Sequence, residues 1–173
     1  GSHARRSAQA ALWHITQTLV RLMAPVLAFT AEEIWTVLCE GGRNGSDDSV
    51  MLTTWNALPM QAGEPELLAS WARIRALRAE SARVLETLRS EGGIGSSLQA
   101  EVEVRAAGEL YDDLAALGDD LRFVLITSNA TLVRVDTEAE QGVTAKASAL
   151  QKCARCWHYR ADVGVNPAHP ELC

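Results

Sequence analysis

The apolar residues of this chain change period once, and that change constrains the fold more than any other feature. Up to about residue 91 they recur at helical spacing; from Ala100 they alternate. Ala8, Leu12, Ile15, Leu19, Leu22, Met23 and Val26 predict a helix from about residue 4 to 24. Pro25 ends or kinks it, because its ring clashes with the preceding turn. Thr30-Ala31-Glu32-Glu33 has the capping-box pattern and predicts a second helix that buries Ile34, Trp35, Val37 and Leu38 and stops at Gly41-Gly42. Residues 41–49 read as an exposed loop, and Val50 to Trp55 as a short extended return. A third helix starts near Glu64-Pro65 and runs to about Ser90, with Trp71, Ile74, Leu77, Val84, Leu85 and Leu88 on one face. Residues 4–91 therefore imply an antiparallel helical bundle. Gly1-Ser2-His3 has the composition of an expression-tag remnant (residues 1–3) and carries no fold information.

Beyond Gly92-Gly93 the pattern is that of a small α+β unit, residues 92–135. Ala100 to Ala106 alternates apolar and charged side chains, as a half-buried strand does. Glu109 to Leu117 reads as a short helix closed by Gly118, while Leu121 to Thr127 and Ala130 to Val135 are strand-like. Residues 136–152 mix charge with Gly, Ser and Ala without a period, and are expected to form a linker to a short C-terminal knuckle at 153–173. The expected fold class is mainly α: a helical bundle, then the α+β unit, then the knuckle.

Composition narrows the function. No apolar run reaches the length needed to cross a bilayer, and a hydrophobic fraction of 47% is that of a globular chain. The net charge of −6 excludes a general nucleic-acid glue. The charge is uneven: residues 92–152 hold five basic and ten acidic side chains. Any nucleic-acid contact must come from local geometry and a few arginines.

Cys153-Ala-Arg-Cys156 is a C-x2-C pair, and Cys173 follows after sixteen intervening residues. That spacing matches three-quarters of a four-cysteine zinc module, and zinc takes four tetrahedral ligands with thiolates common among them. A redox pair fails on context, since no βαβ pattern precedes Cys153. His158 or His169 can in principle supply the fourth ligand, but a further cysteine just past Cys173 is the preferred reading. On that reading the chain is a truncation whose three thiolates hold zinc weakly or not at all. Cys39, alone in an apolar helical stretch, is expected to be a small core residue.

Trp157, His158 and Arg160, with Arg155, crowd aromatic, imidazole and guanidinium groups beside the metal loop, the chemistry that stacks on unpaired RNA bases. The alternative is that Trp157 and Tyr159 form the knuckle's small core. Arg73 and Arg78 on the third helix, and Arg5-Arg6 at the start of the first, are either phosphate contacts or a solvated face. His14, beside the apolar stripe of the first helix, reads as a packed histidine. No nucleophile–base arrangement, glycine-rich phosphate loop or paired acid–base carboxylates are present, so no catalysis is expected from this chain alone.

Residues 4–15 (ARRSAQAALWHI), 23–35 (MAPVLAFTAEEIW) and 52–55 (LTTW) resemble the anticodon-binding bundle of class I aminoacyl-tRNA synthetases. Residues 94–100 (IGSSLQA) and 121–128 (LRFVLITS) narrow the resemblance to bacterial isoleucine–tRNA ligases, and 153–164 (CARCWHYRADVG) with 169–173 (HPELC) are similar to their C-terminal zinc motif. The resemblance implies a C-terminal fragment of a cytoplasmic, monomeric enzyme. That enzyme joins isoleucine to its tRNA with ATP and hydrolyses mischarged valine. It implies tRNA(Ile) as partner, and one zinc per chain in the parent, held by Cys153, Cys156, Cys173 and a cysteine three residues on. ATP and isoleucine would be handled only by a catalytic region upstream of Ala4, since the His-x-Gly-His and Lys-Met-Ser-Lys-Ser motifs have no match here. A valine- or leucine-type synthetase fragment, or a zinc-ribbon protein-interaction module without an RNA role, are the alternatives.

Overall fold

A computed structural model describes residues 2–40, 49–55, 57–59 and 62–173. The readings at Gly41-Gly42 and most of the 41–49 loop lie outside them. The chain divides into two compact units, Gly1–Ala62 and Gly63–Cys173.

The first unit is a helix–turn–helix. Helix α1 (His3–Met23) is capped by Ser2, whose hydroxyl accepts from Arg5 N at 3.3 Å. Pro25 follows the last turn as expected. Helix α2 (Ala28–Glu40) begins two residues before the capping-box threonine, so Thr30 lies inside its first turn. The reason is local: Leu27 N bonds Met23 O at 2.7 Å and Ala31 N bonds Leu27 O at 2.9 Å, which leaves no extended residue at which Thr30 could cap. Val20, Ala24, Ala31, Trp35 and Val50 form the core, flanked by Ile34, Leu38 and Cys39. The guanidinium of Arg21 lies 4.8 Å over the Trp35 ring. A 3-10 turn, Val50–Leu52, stands where an extended piece was expected, and Glu32 Oε2 fastens it by accepting from Ser49 Oγ at 2.8 Å and Val50 N at 3.2 Å. The stripe read from the sequence is shifted: Leu12, Ile15, Leu19 and Leu22 are about half exposed and Val37 is open, whereas Gln17 and Val20 are buried.

The second unit is a three-stranded sheet with helices. Strand β1 (Ala100–Ala106) is central, parallel to β2 (Asn129–Arg134) and antiparallel to β3 (Gly142–Ala147). On β1 Ala100, Val102, Val104 and Ala106 are buried while Glu103 and Arg105 face solvent, the alternation that the sequence announced. Helix α3 (Glu64–Ser90) turns Ile74, Leu77 and Leu85 into the same core as those strand residues, so it packs with the sheet. The bundle expected over 4–91 is thus divided by packing at residue 62. Arg73 ties α3 to α4 (Gly108–Leu117) through Asp113 at 2.6 Å and Glu109 at 2.9 Å. α3 stops at Ser90, and the chain turns away at Gly92, whose φ of +77° a side chain would resist; a Cβ on Gly93 would lie 2.5 Å from Leu88 Cδ1.

Two expectations are corrected here. Residues 121–127 are not a strand: Leu121–Leu125 is a short helix, α5, with Leu121 and Leu125 buried one turn apart and Ile126 in the left-handed region at φ 59°. β1 and β2 are parallel, so the chain between them must cross over, and helices serve that return. The 136–152 stretch is not a free linker, because Gly142–Ala147 pairs with β1 from Arg105↔Gly142 to Ala100↔Ala147. Its alternation (Val143 and Ala145 inward, Thr144 and Lys146 outward) is built on Gly and Ala, which are weak strand formers, and so escapes a propensity reading.

Candidate metal centre and nucleic-acid interface

The knuckle is a small hairpin with a returning tail. Strand β4 (Gln151–Lys152) pairs with β5 (Tyr159–Arg160), and the turn between them closes through Cys153 N to His158 O at 2.9 Å and Trp157 N to Cys153 O at 3.0 Å. The tail returns by Ala154 N to Glu171 O at 3.0 Å and Gly164 N to Leu172 O at 3.2 Å, which carries Cys173 to the turn. Gly164 has φ +82°, and a Cβ there would meet the Pro170 carbonyl at 3.0 Å.

Three thiols converge as a result. The Sγ atoms of Cys153, Cys156 and Cys173 all lie within 4.8 Å of one another, and those of Cys156 and Cys173 are 3.5 Å apart. Thiolates about 2.3 Å from a tetrahedral zinc stand about 3.8 Å from each other, so the donor set fits the ion. Backbone N–H groups, those of Cys156 and Cys173 foremost, lower the buried Cys153 thiol to about 6, while the Cys156 and Cys153 thiols raise Cys173 to about 11. Among the described residues no histidine joins the cluster. His158 Nδ1–H donates to Cys156 O at 3.1 Å, and its ring meets Phe123 edge-on, with centroids 5.6 Å apart at 80°.

The knuckle is attached to the sheet by a residue that sequence reasoning passed over. Ser128, 3% exposed at the entry to β2, bonds Ala100 O through its N–H. Its hydroxyl donates to Leu98 O and accepts from Tyr159 N at 2.6 Å. A serine at a strand entry carries no sequence signal of such a role; only its place in the 121–128 phrase marked the segment.

The other candidates divide. Trp157 is 60% exposed, with φ 65° and Lys152 Nζ 5.2 Å from its ring centroid, so it is not the knuckle's core. Arg155 is exposed, and Arg160 forks onto Asp162 at 2.8 and 3.0 Å. Arg73 is held by Asp113 and Glu109, and Arg78 Nε donates to Val124 O at 3.1 Å, joining α3 to α5. These two arginines sit in structural contacts. Arg5 and Arg6 are exposed on the first turn of α1, in the first unit, and His14 is half-buried there.

Residues 1–104 match the family model of the anticodon-binding domain of tRNA ligase. The chain belongs to that family. A second model, a zinc finger found in FPG and IleRS, matches residues 151–173, the stretch that holds all three clustered cysteines. This anticodon-binding chain is 60% identical over 172 residues to an isoleucine–tRNA ligase of Aromatoleum aromaticum, covering 99% of the chain and 18% of the relative. It is 56% identical to one of an Azoarcus species and 52% to one of Burkholderia mallei, again over 18% of each relative. The chain thus spans under a fifth of the length of the curated relatives it matches. Among the described residues no helix is long and apolar enough to cross a membrane.

Proposed function

We propose that this chain is the anticodon-reading region of an isoleucine–tRNA ligase. The parent enzyme joins isoleucine to tRNA(Ile) with ATP in the cytoplasm, acts as a monomer and clears mischarged valine elsewhere. The observation that carries the reading is the co-occurrence, in one chain, of the anticodon-binding match and the zinc-finger match, with near-complete coverage by relatives named isoleucine–tRNA ligase. The geometry supports it. Zinc, held by Cys153, Cys156 and Cys173, would lock the turn that presents Trp157 and Arg155 to solvent, with His158 and Arg160 alongside. Arg5 and Arg6 offer phosphate contacts on the first unit, where N-terminal cations oppose the helix dipole and so do not serve helix stability. Contacts so far from the reacting centre act by orienting the acceptor end.

Filter binding against isoleucine-, valine- and leucine-accepting tRNAs tests this. Preference for the first, weakening as salt rises, is expected. Equal binding to all three, or none, refutes it. For the metal, the chain dialysed against zinc should retain at most a weakly held ion, and Cys153→Ser should lose it; equal retained zinc in both would refute the ligand assignment.

A further inference from the structure

Neither family match covers residues 105–150. Within that gap the short helix α5 carries Arg122 and Phe123, and the fold seats them against the knuckle. Leu121 and Leu125 of α5 are buried at 2% and 4%, but Phe123 is 52% exposed, so its ring is not there to fill a core. Its centroid lies 5.6 Å from that of His158, and the Arg122 guanidinium carbon lies 4.7 Å over its face. The second open aromatic of the knuckle, Trp157, has Lys152 against its ring. Asp162 is already bound by the Arg160 fork, whose hydrogen bonds are the main reason its carboxyl lies below the usual carboxylate range, with Arg122 only a minor contributor.

We propose that Phe123, with His158 beside it, is a stacking site for one unpaired base of the bound RNA, with Arg122 and Lys152 supplying the local positive charge. This rests on the tRNA-binding reading above and adds to it a residue that neither family model covers. The occupant follows from the chemistry. Exposed rings each accompanied by a cation suit a base with its phosphate, because bases of any kind offer a π-face and the backbone brings negative charge. A greasy protein segment would gain nothing from two desolvated cations. The slot is also pre-formed: Ser128 joins the strand that follows α5 to Tyr159 of the knuckle, so the Phe123–His158 arrangement does not have to be assembled on binding.

The test uses the zinc-loaded chain and tRNA(Ile) transcripts carrying 2-aminopurine at each anticodon position in turn. With the wild-type chain one position should be quenched on binding. Phe123→Leu, which keeps an apolar side chain, should weaken binding by about 5- to 150-fold and remove that quench, while Phe123→Tyr should retain both. Zinc content and thermal midpoint should be the same in all three, and the salt slope of binding should not change because no phosphate contact is lost. Binding and quench unchanged in Phe123→Leu would overturn the stacking site while leaving tRNA recognition standing, as would equal loss in Phe123→Tyr or no quench at any position. Failure of the wild-type chain to bind tRNA at all would instead overturn the function on which the site rests.

Discussion

Ser128→Ala isolates the connection between knuckle and sheet. The hydroxyl is 3% exposed and makes two bonds, donating to Leu98 O and accepting from Tyr159 N at 2.6 Å. Alanine removes both while leaving the Ser128 N–H bond to Ala100 O in place. A buried group stranded without its partner costs about 1–3 kcal/mol. Leu98 and Tyr159 are only half-buried, so water can reach each in part and the cost falls toward the low end, at about 2 kcal/mol for the pair. That is roughly a thirtyfold change in the population of an opened knuckle. Hydrogen exchange reads it directly: the Tyr159 amide should lose protection by about that factor, with amides on β1 changing much less. Binding of tRNA should weaken in parallel, because Trp157 and His158 are carried on the loosened hairpin. If Tyr159 exchanges at the wild-type rate and the unfolding midpoint is unmoved, the hydroxyl is not the anchor and the coupling between sheet and knuckle must be sought elsewhere.

Other outcomes follow from the same contacts. Arg73 holds the Asp113 carboxyl below the usual carboxylate range, its hydrogen bond being the main cause and burial opposing it. A depressed pKa adds stability that is complete above the unfolded value of about 4 and is lost as pH falls through the folded one; urea midpoints of Asp113→Asn should therefore converge on wild type in acid, and parallel curves would refute the pairing. Gly164→Ala meets both a left-handed backbone and the Pro170 carbonyl at 3.0 Å, and should cost on the order of 1–2 kcal/mol in the knuckle. Gly142→Ala, with nothing within 4 Å and an ordinary φ, is its control; equal midpoints for the two variants would contradict the steric argument.

Some of this architecture was legible from residues alone because local and tertiary preferences agree. Glu64-Pro65 opens α3 and Gly92-Gly93 closes it as their chemistry requires, and the strict alternation of β1 survives because one face is buried. The C-x2-C spacing is local enough to be read directly, and the returning tail brings the third thiol to it. The failures occur where tertiary topology overrides local preference. Leu121 to Thr127 contains the apolar and β-branched residues of a strand, yet a parallel return to β2 needs a crossover there, and helix wins over Leu121–Leu125. Gly142–Ala147 has too few β-branched residues to announce a strand and becomes one because β1 has an open edge. Phe123 and Ser128 were hidden for a related reason: what marks them is contact across 31 to 35 residues of chain, with Tyr159 and His158, which no periodicity records.

The anticodon-binding match ends at residue 104, inside β1, and that boundary is not one at which the chain can fold. β1 is the central strand; both of its partners, Asn129–Arg134 and Gly142–Ala147, lie beyond the match. The buried face of α3 (Ile74, Leu77 and Leu85) shares its core with Leu114, Leu121 and Leu125, also beyond it. A chain cut at residue 104 would leave that face and β1 without cover, and a lone strand with one helix is not independently stable. Cut instead after Leu150, the sheet and its helices are complete and only the knuckle is lost. Limited proteolysis should therefore degrade residues 63–104 of the shorter product rapidly while sparing them in the longer one, which should also retain a cooperative melt. Equal protection of α3 in both products would mean that the recurring sequence unit folds without the strands that the structure gives it, and that residues 105–150 are an attachment to the anticodon-binding region. Selective protection in the longer product makes them part of it, and places Phe123 and Ser128 inside the module that meets the RNA.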